Sequence, residues 1–164
     1  MAYLLDANVF IAAKNLHYGL DFCPAFWDWL IEKQSAGIVF SVEKVRDEVV
    51  AVADELSDWI EQRDPSFFLA VDASLFPSLA AVSEWATGNR YEQAAVSTFL
   101  QIADYYLIAQ ALAGAHTVVT HEVPSASTRK IKIPDACIGL GIEFMTPFQM
   151  LRRERARFVL GPSA

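Results

Sequence analysis

The chain has few cysteines, and their spacing is not one that binds metal. Only Cys23 and Cys137 occur among 164 residues, and they are too far apart in sequence to form a CxxC pair. Neither His17 nor His116 has a His or Cys three or four residues further on, which argues against a zinc site. We therefore expect two reduced thiols that pack as small apolar side chains.

Long apolar runs are also missing. No run reaches the roughly 18 residues that span a bilayer, and no basic segment precedes the first apolar stretch, as it would in a signal peptide. We therefore expect a cytoplasmic protein without a membrane anchor. With 164 residues, of which 54% are hydrophobic, residues 1–164 are long enough to bury the core of a single domain.

The chain lacks an excess of positive charge. Its net charge of -7 argues against a protein that coats nucleic acid by bulk attraction. The sign changes along the chain, however, because residues 1–128 hold 6 Lys/Arg against 17 Asp/Glu, whereas residues 129–164 hold 7 against 3. Two basic clusters, at 129–132 and 152–157, could meet phosphates, although a solvated helix face explains the second equally well.

Strand-like and helical patterns alternate along the chain. Short apolar or β-branched segments predict strands at 2–6, 38–40, 117–120 and 143–145, and the segment 67–71 is ambiguous between strand and loop. Helical patterns cover 22–34, 54–63, 74–87, 91–100, 103–113 and 147 to about 158. This order predicts an α/β fold, a three-layer α/β/α sandwich with a central, mainly parallel sheet.

A further helix should follow the second strand. Ser41 is a good N-cap residue for it. Its apolar stripe would consist of Val42, Val45, Val49 and Val52. At about 100° per residue, Glu48 flanks this stripe near the sheet, while Glu43 and Asp47 point further out. An ordinary boundary glutamate is the alternative for Glu48.

Asp6 interrupts an apolar stretch at the end of the first predicted strand. Carboxyl ends of parallel strands border the ligand crevice of open α/β sheets. Asn8, two residues on, can project the same way and supply an amide oxygen. Carboxylate and amide oxygens suit hard cations such as Mg²⁺ and Mn²⁺, so this pair predicts the start of a metal site.

Two further carboxylates fit their surroundings poorly. Asp104 lies on the inward face of its helix, three and four residues before the apolar Leu107 and Ile108, so it either caps the helix or binds a ligand. Glu122 follows the fourth strand-like segment in the way that Asp6 follows the first. Asp135 is an outside candidate, and we expect His121 to be a loop residue beside the cleft rather than its catalyst.

Together these residues resemble the PIN-domain family. The matching features are Asp6-Ala7-Asn8 after a first strand, Glu48 on the helix after Ser41, Ala103-Asp104 opening a later helix, and Thr120-His121-Glu122 at a strand end. The resemblance spans nearly the whole chain. It implies a three-layer α/β/α fold and a metal-dependent ribonuclease, as in the toxin half of VapBC-type toxin–antitoxin pairs. One departure is Glu122, where the family usually has Asp.

The resemblance also implies roles for these residues. Asp6 and Asp104 would hold Mg²⁺ or Mn²⁺ directly, while Glu48, Glu122 and Asn8 would act through bound water. A metal-activated water would hydrolyse the RNA phosphodiester, leaving 5′-phosphate and 3′-hydroxyl ends. Just after the last acidic position, the side chains that would meet RNA phosphates are Arg129, Lys130 and Lys132. A partner antitoxin would inhibit by inserting Arg or Lys among the carboxylates. A homodimer is compatible with the sequence.

Two other functions compete with this interpretation. A phosphatase of the haloacid-dehalogenase type also begins with Asp after a first strand, but it normally has a second Asp two residues later, where this chain has Asn8. A non-catalytic PIN-like module that binds RNA or protein would be favoured by loss of acidic residues. All four expected positions are acidic here.

Overall fold

A five-stranded parallel sheet forms the centre of the protein in the computed structural model, which describes residues 1–161. The strands are β1 Tyr3–Leu5, β2 Val39–Val42, β3 Phe68–Leu69, β4 Thr117–Val119 and β5 Phe144–Met145. Their order is β3-β2-β1-β4-β5, and Tyr3 pairs with Val39 on one side and with Thr117 on the other. Within the ambiguous segment 67–71, only Phe68–Leu69 form a strand, which lies at the edge of the sheet.

The central strands are buried on both faces. Every residue of β1 and β4 is buried, although successive side chains point to opposite faces of a strand. Both faces must therefore be covered by helices, and this makes the fold the predicted three-layer α/β/α sandwich. A contiguous hydrophobic core extends from Tyr3 to Leu151.

Nine α-helices surround the sheet within the described residues. They are α1 Ala7–Ala12, α2 Pro24–Ser35, α3 Glu43–Val50, α4 Glu55–Glu61, α5 Phe76–Thr87, α6 Gln93–Phe99, α7 Ala103–Gly114, α8 Ile133–Leu140 and α9 Pro147–Arg153. A π-helical turn, Ala13–His17, continues α1. Helix α7 packs against α3, α5 and α8 as well as against β2 and β4. It thereby brings its first turn to the carboxyl end of the sheet.

Local capping chemistry explains where several of these helices begin. Asp54 accepts a hydrogen bond from the Ser57 amide at 2.9 Å in a capping box before α4. Thr146 does the same for Gln149 before α9, at 3.2 Å. At the other end of a helix, Gly141 adopts φ 70° after α8, a left-handed conformation that glycine tolerates best. These signals are readable from sequence because they depend on near neighbours.

Other predicted features are wrong. Ser41 does not cap α3. It lies inside β2, and its buried hydroxyl donates to the Leu5 carbonyl at 2.7 Å. Val52 lies beyond α3 and is 62% exposed. The last helix ends at Arg153 rather than near Phe158, and α1 was not predicted as a helix.

Both cysteines are free thiols, as expected. Cys137 is buried in the core and Cys23 is half-buried. Burial, with a contribution from the charge of Glu122, raises the pKa of Cys137 to about 12, so its thiol stays protonated at neutral pH. Across residues 1–161, no helix combines the length and apolar character needed to cross a bilayer.

Candidate functional site

An acidic cleft of about 550 Å³ opens at the carboxyl ends of β1 and β4. The structure brings six of the predicted site residues together here, although they are separated by up to 124 positions in the chain. The lining includes the predicted Asp6, Asn8, Glu48, Asp104, Glu122 and Lys130, together with Lys44, Asp47 and Tyr106. The placement follows from parallel pairing, which aligns the ends of neighbouring strands.

Asp6 is the most deeply buried carboxylate, with 4% of its surface exposed. Its amide donates to the Val119 carbonyl at 3.0 Å, which continues the β1–β4 ladder by one residue. The Thr120 hydroxyl donates to Asp6 Oδ2 at 3.1 Å. Burial raises the pKa of Asp6 to about 6, and the charges of Glu122 and Glu48 add to this effect, while the Thr120 bond opposes it.

Asp104 lies in the first turn of α7. The capping alternative is wrong, because Ile102 is the N-cap residue and no side chain caps this helix. Burial raises the pKa of Asp104 to about 7, and the charges of Asp6, Glu122 and Glu48 raise it further, whereas Lys130 lowers it. The carboxylates therefore crowd one another, and the site gains from positive charge.

The Glu122 side chain, which is one methylene longer than the Asp usual in PIN domains, extends to helix α8. Its amide donates to the Thr120 hydroxyl at 3.1 Å, and its Oε2 accepts a long bond of 3.5 Å from the amide of Ile133, the first residue of α8. A carboxylate is favoured near a helix N-terminus. An aspartate side chain at this position would be one methylene shorter and would extend less far toward the Ile133 amide.

Helix α3 contributes more to the cleft than the sequence interpretation allowed. Glu48 lines it as predicted, but Asp47 lines it too, so the expectation that Asp47 points away is wrong. Lys44 was missed. Its Nζ lies 5.1 Å from the ring centroid of Tyr106, close enough for a cation–π contact. The spacing of positions 44, 47 and 48 could have shown that Lys44 and Asp47 lie beside Glu48, since residues three and four apart share a helix face.

The predicted RNA-binding residues do not share one position. Lys130 lines the cleft and lowers the pKa of Asp104. Arg129 is 85% exposed and lies 3.8 Å from Glu92, outside the cleft. Lys132 occupies the N-cap position of α8 and does not line the cleft. Only one of the three cations therefore faces the carboxylates.

Asp135, the outside candidate, does not line the cleft. Its carboxylate accepts the Ser125 amide with both oxygens, at 3.3 and 3.1 Å. This contact ties the loop between β4 and α8 to the first turn of α8. Asp135 thus supports the segment that carries Lys130 instead of contributing to the site itself.

The donor set fits a hard cation by its chemistry. Within residues 1–161, no three His, Cys, Asp or Glu side chains are grouped closely enough to enclose a metal ion. Mg²⁺ does not need such an enclosure, because it keeps several waters and binds few protein carboxylates. The oxygen-only donors and the raised pKa values of Asp6 and Asp104 both favour a hydrated divalent ion.

A second depression of about 420 Å³ adjoins the acidic cleft, and we call it the histidine groove. Asn8 and Glu122 form the wall that the two share. The remaining lining residues are Ile11, Ala12, Asn15, Leu16, His17 and His121. His121 is thus a loop residue beside the cleft, as predicted, and burial together with the nearby His17 lowers its pKa.

Comparison with known proteins identifies a family. A family model described as "Domain of unknown function (DUF4411)" matches residues 3–158, so the chain belongs to this family. No curated protein and no solved structure matches the chain.

Proposed function

We propose that this member of the DUF4411 family is a metal-dependent endoribonuclease that uses Mg²⁺ or Mn²⁺. The observation that carries the proposal is the convergence of Asp6, Glu48, Asp104 and Glu122 on one cleft at the ends of parallel strands. Their mutual repulsion calls for a divalent cation. The resemblance of the same residues to those of PIN domains supports RNA as the substrate.

Each residue has a role that follows from its surroundings. Asp6 and Asp104 would hold the cation, while Glu48, Glu122 and Asn8 would orient waters around it. When bound, the ion lowers the pKa of a water and neutralises charge on the phosphate. Two positively charged side chains, Lys44 and Lys130, also line the cleft and would contact phosphate oxygens.

We further propose that the protein is the toxin of a toxin–antitoxin pair. This step rests on the family resemblance and on the acidic cleft, which suits an inserted Arg or Lys from a partner. The positive charge of this inserted Arg or Lys would take the place of the metal ion among Asp6, Glu48 and Asp104. If so, expression of the wild-type chain arrests growth, Asp104→Asn does not, and co-expression of a cognate antitoxin restores growth to cells that express the wild type. Growth arrest by both chains would overturn the toxin proposal.

Cleavage of single-stranded RNA tests the enzymatic proposal. With Mn²⁺, the wild type should release fragments with 5′-phosphate and 3′-hydroxyl ends, and chelation should stop the reaction. Asp6→Asn and Asp104→Asn should each lower the rate at least 100-fold, whereas Asn89→Ala, a change far from the cleft, should not. Cleavage that survives in both aspartate variants, or in chelator, would remove these residues from the mechanism.

A non-catalytic module that binds RNA is the second candidate. The open arrangement of the carboxylates and the presence of Lys130 among them favour it. Such a module would bind RNA in chelator as tightly as in Mn²⁺ and would release no fragments. The cleavage assay therefore separates the two candidates.

A further inference from the structure

We propose that the histidine groove binds an unpaired nucleobase next to the scissile phosphate, so that it sets the base preference of the enzyme. The inference rests on the proposed ribonuclease function and extends it. The groove and the acidic cleft share Asn8 and Glu122 as a common wall. Because a base is joined to its phosphate through a single ribose, a strand whose phosphate lies in the cleft reaches the groove without leaving the surface.

The lining of the groove suits a base better than a phosphate. None of its eight lining residues is Lys or Arg, and Glu122 is acidic, so the groove offers little to a phosphate. Ile11, Ala12 and Leu16 supply apolar surface, and Leu16 is 74% exposed. Its volume of about 420 Å³ also falls within the ~300–1,000 Å³ of small-ligand pockets.

Aromatic rings stand along one side of the groove. The centroids of His17 and His121 are 5.6 Å apart with their planes tilted by 32°. Phe148 packs edge-on against both, with ring centroids 5.1 Å from His17 and 5.7 Å from His121. Proteins that read single-stranded RNA stack its bases on aromatic side chains, including histidine.

Polar side chains at the rim can read the base edge. Asn8 and Asn15 each carry one amide acceptor and two donors, which match the hydrogen-bonding edge of a base. Both are exposed, so their amides are available. Apolar surface, stacking rings and amide groups thus meet in one groove.

The backbone itself is unusual at this place. Residues Ala13–His17 form a π-helical turn in which the Tyr18 amide donates to the Ala13 carbonyl at 2.7 Å. Such turns interrupt α-helices mostly at functional sites. The turn carries Asn15, Leu16 and His17, so it presents three of the lining residues of the groove together.

A binding cycle between protein and RNA variants tests the proposal. We would use the inactive Asp104→Asn chain, to prevent cleavage, and a single-stranded RNA hexamer with 2-aminopurine or an abasic site at each position in turn. One position should show quenched 2-aminopurine fluorescence on binding, and an abasic site there should weaken binding about 5- to 150-fold, the cost of about 1–3 kcal/mol for losing one stacked base.

Protein changes complete the cycle. Leu16→Ala together with His17→Ala should weaken binding of the intact hexamer about 10-fold, but should leave the binding of the hexamer that is abasic at the identified position unchanged. The matched control is Ile138→Ala, which removes a similarly exposed apolar side chain, 62% exposed, from α8 outside both cavities. It should change neither affinity.

The outcomes separate this inference from the proposed function. Wild-type cleavage of RNA without any coupling between the groove and one base would overturn the groove proposal alone. Absence of both binding and cleavage would overturn both. A shift of the groove variants from dimer to monomer in light scattering, with unchanged RNA binding, would assign the groove to protein contact instead. The abasic series needs no groove variant, so it remains decisive even if a variant misfolds.

Discussion

At the scale of single residues, Asp104 carries a carboxyl group whose ionisation opposes folding in the absence of metal. Its pKa rises from 3.8 to about 7 in the folded protein, mainly because the group is buried. Between these two values the folded state binds more protons than the unfolded state does. The free energy of unfolding should therefore fall as pH rises through this window, and the loss is complete above pH about 7.

Replacing Asp104 with asparagine should stabilise the metal-free protein. The amide cannot ionise, so the gain should be about 1–3 kcal/mol at pH 8 and clearly smaller at pH 5. Urea unfolding in chelator at both pH values measures it. Asp47→Asn, an exposed carboxylate of the same cleft, is the matched control and should change stability less. An equal gain at both pH values would contradict the assignment to Asp104 ionisation.

Thr120 holds two acidic residues in place through one buried hydroxyl. It donates to Asp6 Oδ2 and accepts from the Glu122 amide, both at 3.1 Å. Thr120→Val keeps the shape but removes the hydroxyl that bonds both the Glu122 amide and Asp6 Oδ2, so it should cost about 1–3 kcal/mol of stability.

The same change tests whether Thr120 positions the site. Thr120→Val should weaken Mn²⁺ binding about 10-fold in a titration followed by calorimetry. Thr120→Ser, which retains the hydroxyl, should restore most of this affinity. If valine and serine weaken binding equally, the methyl packing matters and the hydroxyl does not.

At the scale of elements, the segment between β4 and α8 brings one cation into the cleft and keeps another outside. Lys130 lines the cleft, while Arg129, one residue earlier, is directed to Glu92. Of the three predicted phosphate contacts, we therefore expect Lys130 to contribute most to RNA affinity.

Lys130→Ala should weaken RNA binding by the inactive Asp104→Asn chain and reduce the slope of log affinity against log salt by about 0.7, the value for one lost contact to a single strand. Arg129→Ala removes the neighbouring charge and should leave the slope nearly unchanged. Fluorescence anisotropy at several salt concentrations measures both. Equal slopes in all three chains would direct attention to the basic residues 152–157.

At the scale of the whole molecule, metal binding should couple to global stability. The core is contiguous, so a ligand that binds only the folded state stabilises the entire unit. At 100 times its Kd, Mn²⁺ should add about 2.7 kcal/mol, which is roughly 5–10 °C in Tm for a domain of this size.

Thermal melts with and without Mn²⁺ check this expectation. The wild type and Asp47→Asn should both show the rise, whereas Asp6→Asn and Asp104→Asn should not. A rise of the same size in all four chains would indicate that Mn²⁺ binds elsewhere. An absence of any rise would leave the acidic cleft without a metal and favour the non-catalytic alternative.

The sequence alone determined the alternation of strands and helices, the parallel sheet, and the carboxylates at strand and helix ends. These features depend on short-range patterns, such as the apolar run before Asp6, the helical period around Asp104 and the cap at Asp54. A carboxylate that interrupts an apolar pattern is visible locally because burial of charge is costly. That cost is why Asp6 and Asp104 could be found without a structure, whereas Glu122 was found because it follows a strand end as Asp6 does.

Only the tertiary structure decided which other side chains join them. The inclusion of Lys44 and Asp47, the separation of Lys130 from Arg129, and the bond from Ser41 to Leu5 all depend on how α3, β2 and the loop before α8 pack. The histidine groove likewise joins positions 8–17 to 121–122. Such contacts are set by long-range packing, and no local period in the chain encodes them.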